Sequence, residues 1–347
     1  MTDLHPVDSE QKLYQVSPSP HVRSASTTQT IMLDVLIALS PLLLWACYVF
    51  GLRVLTVTLI SVASCLIFEL LFCLITKRKV SVGDLSAVVT GVLLAYNLPH
   101  TIPFWMPVIG AFFSIVVVKM LFGGLGKNIV NPALAGRACM LVSFSSAMTV
   151  APVLTRLGAF EGYLPPEALS GSTPLSAVLT PSDNGAQISL DALFDMFIGY
   201  ECGTIGEVSA LLILLGFLYL LIRRVISWHI PVFYLGTVML ITFLLPAKGF
   251  ERFDYVYTLA QLLSGGVMLA AVFMATDYVT CPITTKGRIV FAVGCGILTV
   301  IIRYFAKQEG ASYAVLTMNL LVYYIDKITV PKPFGVAKKR KKEGEKR

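Results

Sequence analysis

The chain is predicted to be an all-α, polytopic membrane protein of about ten transmembrane helices, arranged as a 5+5 inverted repeat. Three observations carry that prediction. Of 347 residues, 56% are hydrophobic and 14% charged, with a mean hydropathy of +0.78, whereas a soluble protein carries about 25% charged residues. The apolar residues gather in long runs. Most of the positive charge lies at one end: Pro331–Arg347 has eight basic and two acidic residues, a net of +6, leaving +1 of the total +7 for residues 1–330.

A span needs about 20 mainly apolar residues to cross a hydrocarbon core of roughly 30 Å. Runs that meet or approach this are Ile31–Phe50, Val54–Ile75, Leu85–Leu98, Phe104–Phe122 and Pro132–Ala147, then Ile205–Ile222, Ile230–Leu245, Leu259–Ala275, Ile289–Tyr304 and Ser312–Ile325. Five lie on each side of the polar interval 148–203. The third and eighth are irregular. The third is short and ends at Asn97-Leu98-Pro99; the eighth contains Gly265-Gly266 and runs into Asp277 and Cys281-Pro282. Matched interruptions in two halves are the sequence pointer to an inverted repeat with a midplane site.

Charge sets the orientation. With the basic tail inside, the cytoplasmic loops carry Lys77-Arg78-Lys79, Lys127, Arg223-Arg224, and Lys286 with Arg288. The external loops carry Arg53, then no charge, then Lys248, Glu251, Arg252 and Asp254, and finally Arg303, Lys307 and Glu309. Interval 148–203 is also external, with six acids against Arg156 alone. This bias agrees with a single topology, both termini cytoplasmic. The organisation expected is a cytoplasmic segment 1–30, a membrane half 31–147, an extracytoplasmic loop 148–203, a second half 204–327 and a basic cytoplasmic tail 328–347. Residues 1–30 are polar and show no apolar signal-peptide core. The tail is a topology anchor beside anionic membrane lipids, and nucleic acid is not an expected partner.

Several classes of chemistry are excluded by motif. The seven cysteines form no CxxC pair and sit mostly in apolar runs, where a thiol packs as a small hydrophobe. The four histidines are scattered, and neither HExxH nor GxGxxG nor a phosphate-binding GxxxxGK pattern occurs. No metal site and no soluble nucleotide-binding domain are expected. Ionisable residues inside spans are functional candidates by default. They are Asp34, Glu69, Lys119, Arg137 and Asp277, joined by Asn319. Lys119, near the end of its span, reads as a snorkelling side chain. Asp34 reads as a first-turn carboxylate favoured by the helix dipole. Asp277, Glu69 and Asp34 are the ion-path candidates, with Asp277 foremost because it lies at an interruption. Asn128 and Asn131 offer amides at membrane depth, and Asn131 before Pro132 also reads as a helix cap.

Three stretches, in this order, carry a resemblance: Gly123–Arg137 (GGLGKNIVNPALAGR), Ser170–Leu175 (SGSTPL) and Thr276–Arg288 (TDYVTCPITTKGR). Together they resemble the NqrB/RnfD family, which comprises a membrane subunit of the Rnf complex (RnfD) and its homologue in the sodium-pumping NADH:quinone oxidoreductase (NqrB). The resemblance runs from the first span to the tenth, and the chain length is closer to the Rnf member. It implies FMN joined through its phosphate to the Thr173 hydroxyl by a flavin transferase, within an element formed by Glu167, Ser170, Gly171, Ser172 and Thr173. Glu167 replaces the family's Asp, and Ser172 replaces its Ala. The resemblance also implies a non-covalent riboflavin near Asn128 and Asn131, and Arg137 is grouped with them as cofactor-binding. No residue of this chain is expected to be catalytic by itself. The function implied is ferredoxin:NAD electron transfer coupled to Na+ or H+ translocation, within a complex of other membrane, iron–sulfur and flavoprotein subunits. The rivals are a stand-alone inverted-repeat transporter or channel, which leaves the SGST element without a role, and the quinone-linked sodium pump.

Overall fold

The structure is a computed structural model that describes residues 27–149, 190–200, 203–247 and 250–331. Among these residues every regular element is helical. The SGST element with Thr173, most of the 148–203 interval and the basic tail lie outside the described residues.

Helix α1 (Thr28–Phe50) starts with a capping box between Thr27 and Thr30 and ends at Gly51, whose φ of 84° suits a residue without Cβ. Helix α2 spans Arg53–Ile75. A 3-10 turn at Val82–Asp84 then leads into α3 (Ser86–Tyr96). With 11 residues at about 1.5 Å each, α3 covers only about half of the bilayer core. Helix α4 (Trp105–Phe112) continues as a π-helix over Phe113–Met120. Helix α5 (Pro132–Ser143) stops where Phe144 leaves helical geometry, and α6 (Ser145–Thr149) follows. The run expected as one span to Ala147 is therefore broken at Phe144.

Helix α7 (Leu190–Ile198) lies within the predicted polar interval and buries Leu193 and Met196 against Tyr257 and Ala260. Helices α8 (Ala210–Ile222) and α9 (His229–Leu244) follow. Next come α10 (Tyr255–Leu263) and α11 (Val267–Leu269), the latter continuing as a π-helix over Ala270–Met274. Helices α12 (Thr285–Ala306) and α13 (Ala311–Thr329) complete the described fold.

Three helices, α1, α2 and α12, are each long and apolar enough to cross a membrane. Helix α10 and the segment Val267–Met274 form a pair bent by 65°, a broken span or re-entrant segment. The break falls at Ser264-Gly265-Gly266, where the sequence places its interruption. Leu44, Ile75, Val142, Ile222 and Phe305 are exposed on the outer faces. Apolar surroundings tolerate this, whereas water would not.

The main apolar cluster draws on residues from both sides of the 148–203 interval, including Leu39, Leu42, Leu94, Ile115, Val272 and Phe291. Helix α2 packs on α3 and α4, while α9 packs on α10 and α12. Gly136 sets the closeness of α5 to the π segment of α4: a Cβ there would lie 2.0 Å from Ser114 Oγ and 2.9 Å from the Gly110 carbonyl oxygen.

Candidate functional site

Two polar constellations lie inside this apolar fold. The first surrounds a partly open cleft whose walls are mainly apolar with a few polar groups, the make-up usual for small-molecule sites. Its walls come from α1, α3, the loop before α5, and the segment after the π-helix that follows α11. Apolar walls include Val35, Val89, Leu93 and Phe273; polar ones include Thr90, Lys119, Asn128, Asn131 and Asp277.

Asn131 is committed to holding this cleft in shape. Its Oδ1 accepts from Ala133 N at 3.0 Å and Leu134 N at 3.3 Å, capping α5 behind Pro132. Its Nδ2 donates to the Met274 carbonyl at 3.2 Å, closing α5 onto the end of the broken helix. With the Asn319 amide in its satisfied orientation, Asn319 accepts from Asn131 N at 3.1 Å and donates to Thr280 O at 3.0 Å and Val315 O at 3.2 Å. Asn128 is freer: Nδ2 donates to Val130 O at 3.2 Å, and its oxygen takes no hydrogen bond among the described residues. Asp277 accepts from Thr280 Oγ1 at 3.1 Å.

Lys119 does not snorkel. It is buried, donating to Glu69 Oε2 at 2.8 Å and to Ser86 Oγ at 2.7 Å. Glu69 has no exposed surface, and its second oxygen accepts from Ser81 Oγ. The ammonium gains nothing by leaving so well matched a partner for the interface. Asp34 also differs from expectation. Helix α1 begins at Thr28, so Asp34 lies beyond the first turn, and the dipole does not account for it. It accepts instead from Arg223 Nε and Nη2 at 3.2 Å and from Tyr219 Oη at 3.0 Å, joining α1 to α8.

The second constellation lies where the two interrupted helices meet. Arg137 Nη1 donates to Asn97 Oδ1 at 2.9 Å, to Ser312 Oγ at 2.9 Å and to Glu309 Oε1 at 3.1 Å. Its Nη2 pairs with Glu309 Oε2, while Glu207 Oε1 stands 3.9 Å away. Arg137 is not among the residues lining the cleft; the structure groups it with Glu309 and away from Asn128 and Asn131. Glu207 falls inside the predicted run Ile205–Ile222, where an ionisable residue is itself a signal, whereas nothing in the local sequence singles out Glu309. Nor does it foretell the burial of Arg303, which the charge pattern assigns to an external loop. Arg303 sits in the last turn of α12 with no exposed surface, donating to Gln261 Oε1 at 2.9 Å and Ser264 O at 2.9 Å. Among the described residues no group of three or more His, Cys, Asp and Glu side chains is arranged to hold a metal ion.

A family model described as the NQR2, RnfD, RnfE family matches residues 15–335. The chain is 42% identical over 330 residues to a protein of Acetobacterium woodii, covering 94% of this chain and 96% of that one. That relative is called the D subunit of a Na(+)-translocating ferredoxin:NAD(+) oxidoreductase complex. A Clostridium ljungdahlii relative, 36% identical over 94% of this chain and 97% of its own, is called the D subunit of a proton-translocating complex of the same type. The D subunit of an ion-translocating oxidoreductase complex from Stutzerimonas stutzeri is 38% identical over 89% of this chain and 93% of its own. The chain belongs to the NQR2, RnfD, RnfE family.

Proposed function

We propose that this chain is the flavin-carrying membrane subunit of an Rnf-type complex that couples ferredoxin:NAD electron transfer to Na+ or H+ translocation. The observation that carries this reading is the 42% identity across nearly the whole length of the D subunit of such a complex. The enzyme is the complex, an oxidoreductase translocase, and this chain acts only within it. Its partners are the other membrane, iron–sulfur and flavoprotein subunits.

Ten spans in two inverted halves fit the packing. Asp84 Oδ1 accepts from Ser86 N at 2.9 Å to start α3, and Asp254 Oδ1 accepts from Val256 N at 2.8 Å to start α10. A buried cation follows in each half, Lys119 and Arg303, bonded to the interrupted helix beside it. The basic loops favour cytoplasmic termini in a bacterial inner membrane, with the 148–203 loop outside.

Thr173 is the proposed acceptor of FMN, esterified through the phosphate by a flavin transferase, with Ser170, Gly171 and Ser172 forming the element around it. A covalent tether holds a redox carrier in place without a nucleotide-binding domain. The cleft suits a non-covalent riboflavin: apolar walls for a flat ring system and the free Asn128 oxygen as acceptor. Asn131, its amide already bonded, shapes that wall. When bound, the flavins supply the redox chemistry, and the protein supplies position and electrostatics. Asp277, at the cleft, and Glu69 are the proposed carboxylates of an ion path, with Asp34 at its margin.

The test uses inverted membrane vesicles carrying the complete complex. Reduced ferredoxin and NAD+ should drive uptake of sodium or protons, and removing this chain should abolish it. Electron transfer to NAD+ without any ion uptake by the complete complex would refute the reading.

A further inference from the structure

Resting on that proposed function, we infer that the meeting point of the two interrupted helices is a sodium-binding site, with Glu207 and Glu309 as its carboxylate ligands and Arg137 as a built-in competing cation. Glu309 Oε1 is held by Gly266 N–H at 3.1 Å, in the break between α10 and α11. A Cβ on Gly266 would lie 2.4 Å from Glu309 Oε1 and 3.0 Å from Glu207 Oε1, so both oxygens converge on one point beside the broken backbone. Glycine leaves that point open.

The atoms gathered there are hard oxygen donors: two carboxylates, Asn97 Oδ1 and Ser312 Oγ, all arranged around the Arg137 guanidinium. Oxygen ligands of this kind suit hard cations. Helix direction adds to this. The C-terminus of α3 at Asn97 and that of α10 at Ser264 both end here, and the negative ends of half-helices stabilise cations in broken-helix transporters.

The second observation is an unmet demand. Glu207 Oε1 is enclosed and has no hydrogen-bond partner, and the Ser264 hydroxyl, fully buried at the break, has none either. A buried carboxylate oxygen left unpaired is costly unless a cation meets it. Arg137 is too far at 3.9 Å to hydrogen-bond it. Arg303, the other cation close by, directs its hydrogen bonds to Gln261 and the Ser264 carbonyl, and pairs with no carboxylate within 4.0 Å among the described residues. One guanidinium thus serves Glu309 fully and Glu207 only at a distance. A sodium ion bridging the two carboxylates, with the guanidinium drawn back onto Asn97 and Ser312, satisfies both. The carboxylates come from the segments preceding α8 and α13, whereas Arg137 and Asn97 belong to the first half. Sodium binding therefore competes with a contact between the halves, as an alternating-access element requires.

The test measures NAD+ reduction by reduced ferredoxin against sodium concentration, using the complete complex in proteoliposomes. Glu207→Gln and Glu309→Gln should each raise the half-saturating sodium concentration by at least tenfold. Glu207→Asp should recover part of the loss, and the sodium-over-lithium preference should change in the Gln variants. Glu207 makes no hydrogen bond with Arg137, so Glu207→Gln keeps the test valid where Glu309→Gln impairs assembly; size-exclusion chromatography of the purified complex reports assembly of each variant. Unchanged half-saturation in Glu207→Gln would overturn the site. So would a wild-type rate indifferent to sodium whose pH profile moves in the variants, which assigns the carboxylates to protons. Wild-type complex that takes up no ion sinks the proposed function itself, whereas normal sodium coupling in both variants sinks only this site.

Discussion

Replacing Lys119 by Met should be among the most damaging single changes in the membrane region. The ion pair with Glu69 is enclosed, with side-chain exposures of 3% and 0%. Lys119→Met leaves Glu69 with the Ser81 hydroxyl and no countercharge. Breaking a buried pair in this way costs about 3–5 kcal/mol, or two to nearly four orders of magnitude in the folding equilibrium at about 1.4 kcal/mol per decade. Arg223→Met offers the contrast. Its pair with Asp34 is also short, but the Arg223 side chain is 55% exposed, so solvent screens the pair and a far smaller loss is expected. The double variant Glu69→Gln/Lys119→Met should regain most of the loss, because no buried charge is then left alone. The assay is reversible unfolding of the purified chain in mixed micelles at rising fractions of denaturing detergent. Equal losses for Lys119→Met and Arg223→Met would refute the reasoning, as would a double variant no better than Lys119→Met alone.

Three further expectations follow from particular contacts. Gly136→Val should destabilise the chain by about 1–3 kcal/mol through overpacking against Ser114 and the Gly110 carbonyl, read in the same unfolding assay. Burial, and then the neighbouring Arg53 charge, push the His100 imidazole down to about 4. The folded chain therefore stays unprotonated where the unfolded one, with an ordinary value of about 6.5, takes up a proton. Stability should be full above pH 6.5 or so and fall with acidification towards pH 4, by about 1.4 kcal/mol per pH unit from this group; His100→Phe, keeping a ring against Phe50, should remove that increment from the pH dependence of Tm. Asn128→Leu should lower the flavin released on acid precipitation of the complex while leaving the chain-linked flavin intact, measured by fluorescence of the supernatant and of the gel band.

Local punctuation is legible in the sequence, and long-range pairing is not. Gly265-Gly266 and Asn97-Leu98-Pro99 announce the interruptions because glycine and proline act on their own backbone. Asn131 before Pro132 announces a cap for the same reason, and the structure adds its amide bond to Met274. Arg137 is recognisable as a buried charge in need of a partner. Its partner is hidden, because Glu309 lies 172 residues further on and falls where charge counting places an external loop. Arg303 misleads in the same way: a basic residue at the end of an apolar run looks like an interface marker, yet α12 carries it into the interior against Gln261 and Ser264. Lys119 looks like a snorkelling residue because the Glu69 carboxylate that holds it is 50 residues away. Asp34 looks like a first-turn residue because α1 starts at a Thr27–Thr30 box, which lacks the acidic fourth residue that usually marks a start.

The most direct test of the central claim is flavin fluorescence of this chain on a denaturing gel, after expression together with the flavin transferase. A fluorescent band for the native chain, absent from Thr173→Ala and kept in a chain altered only at Ser172→Ala, is the result expected of an FMN-bearing subunit. A dark native band, or a Thr173→Ala band as bright as the native one, would contradict it.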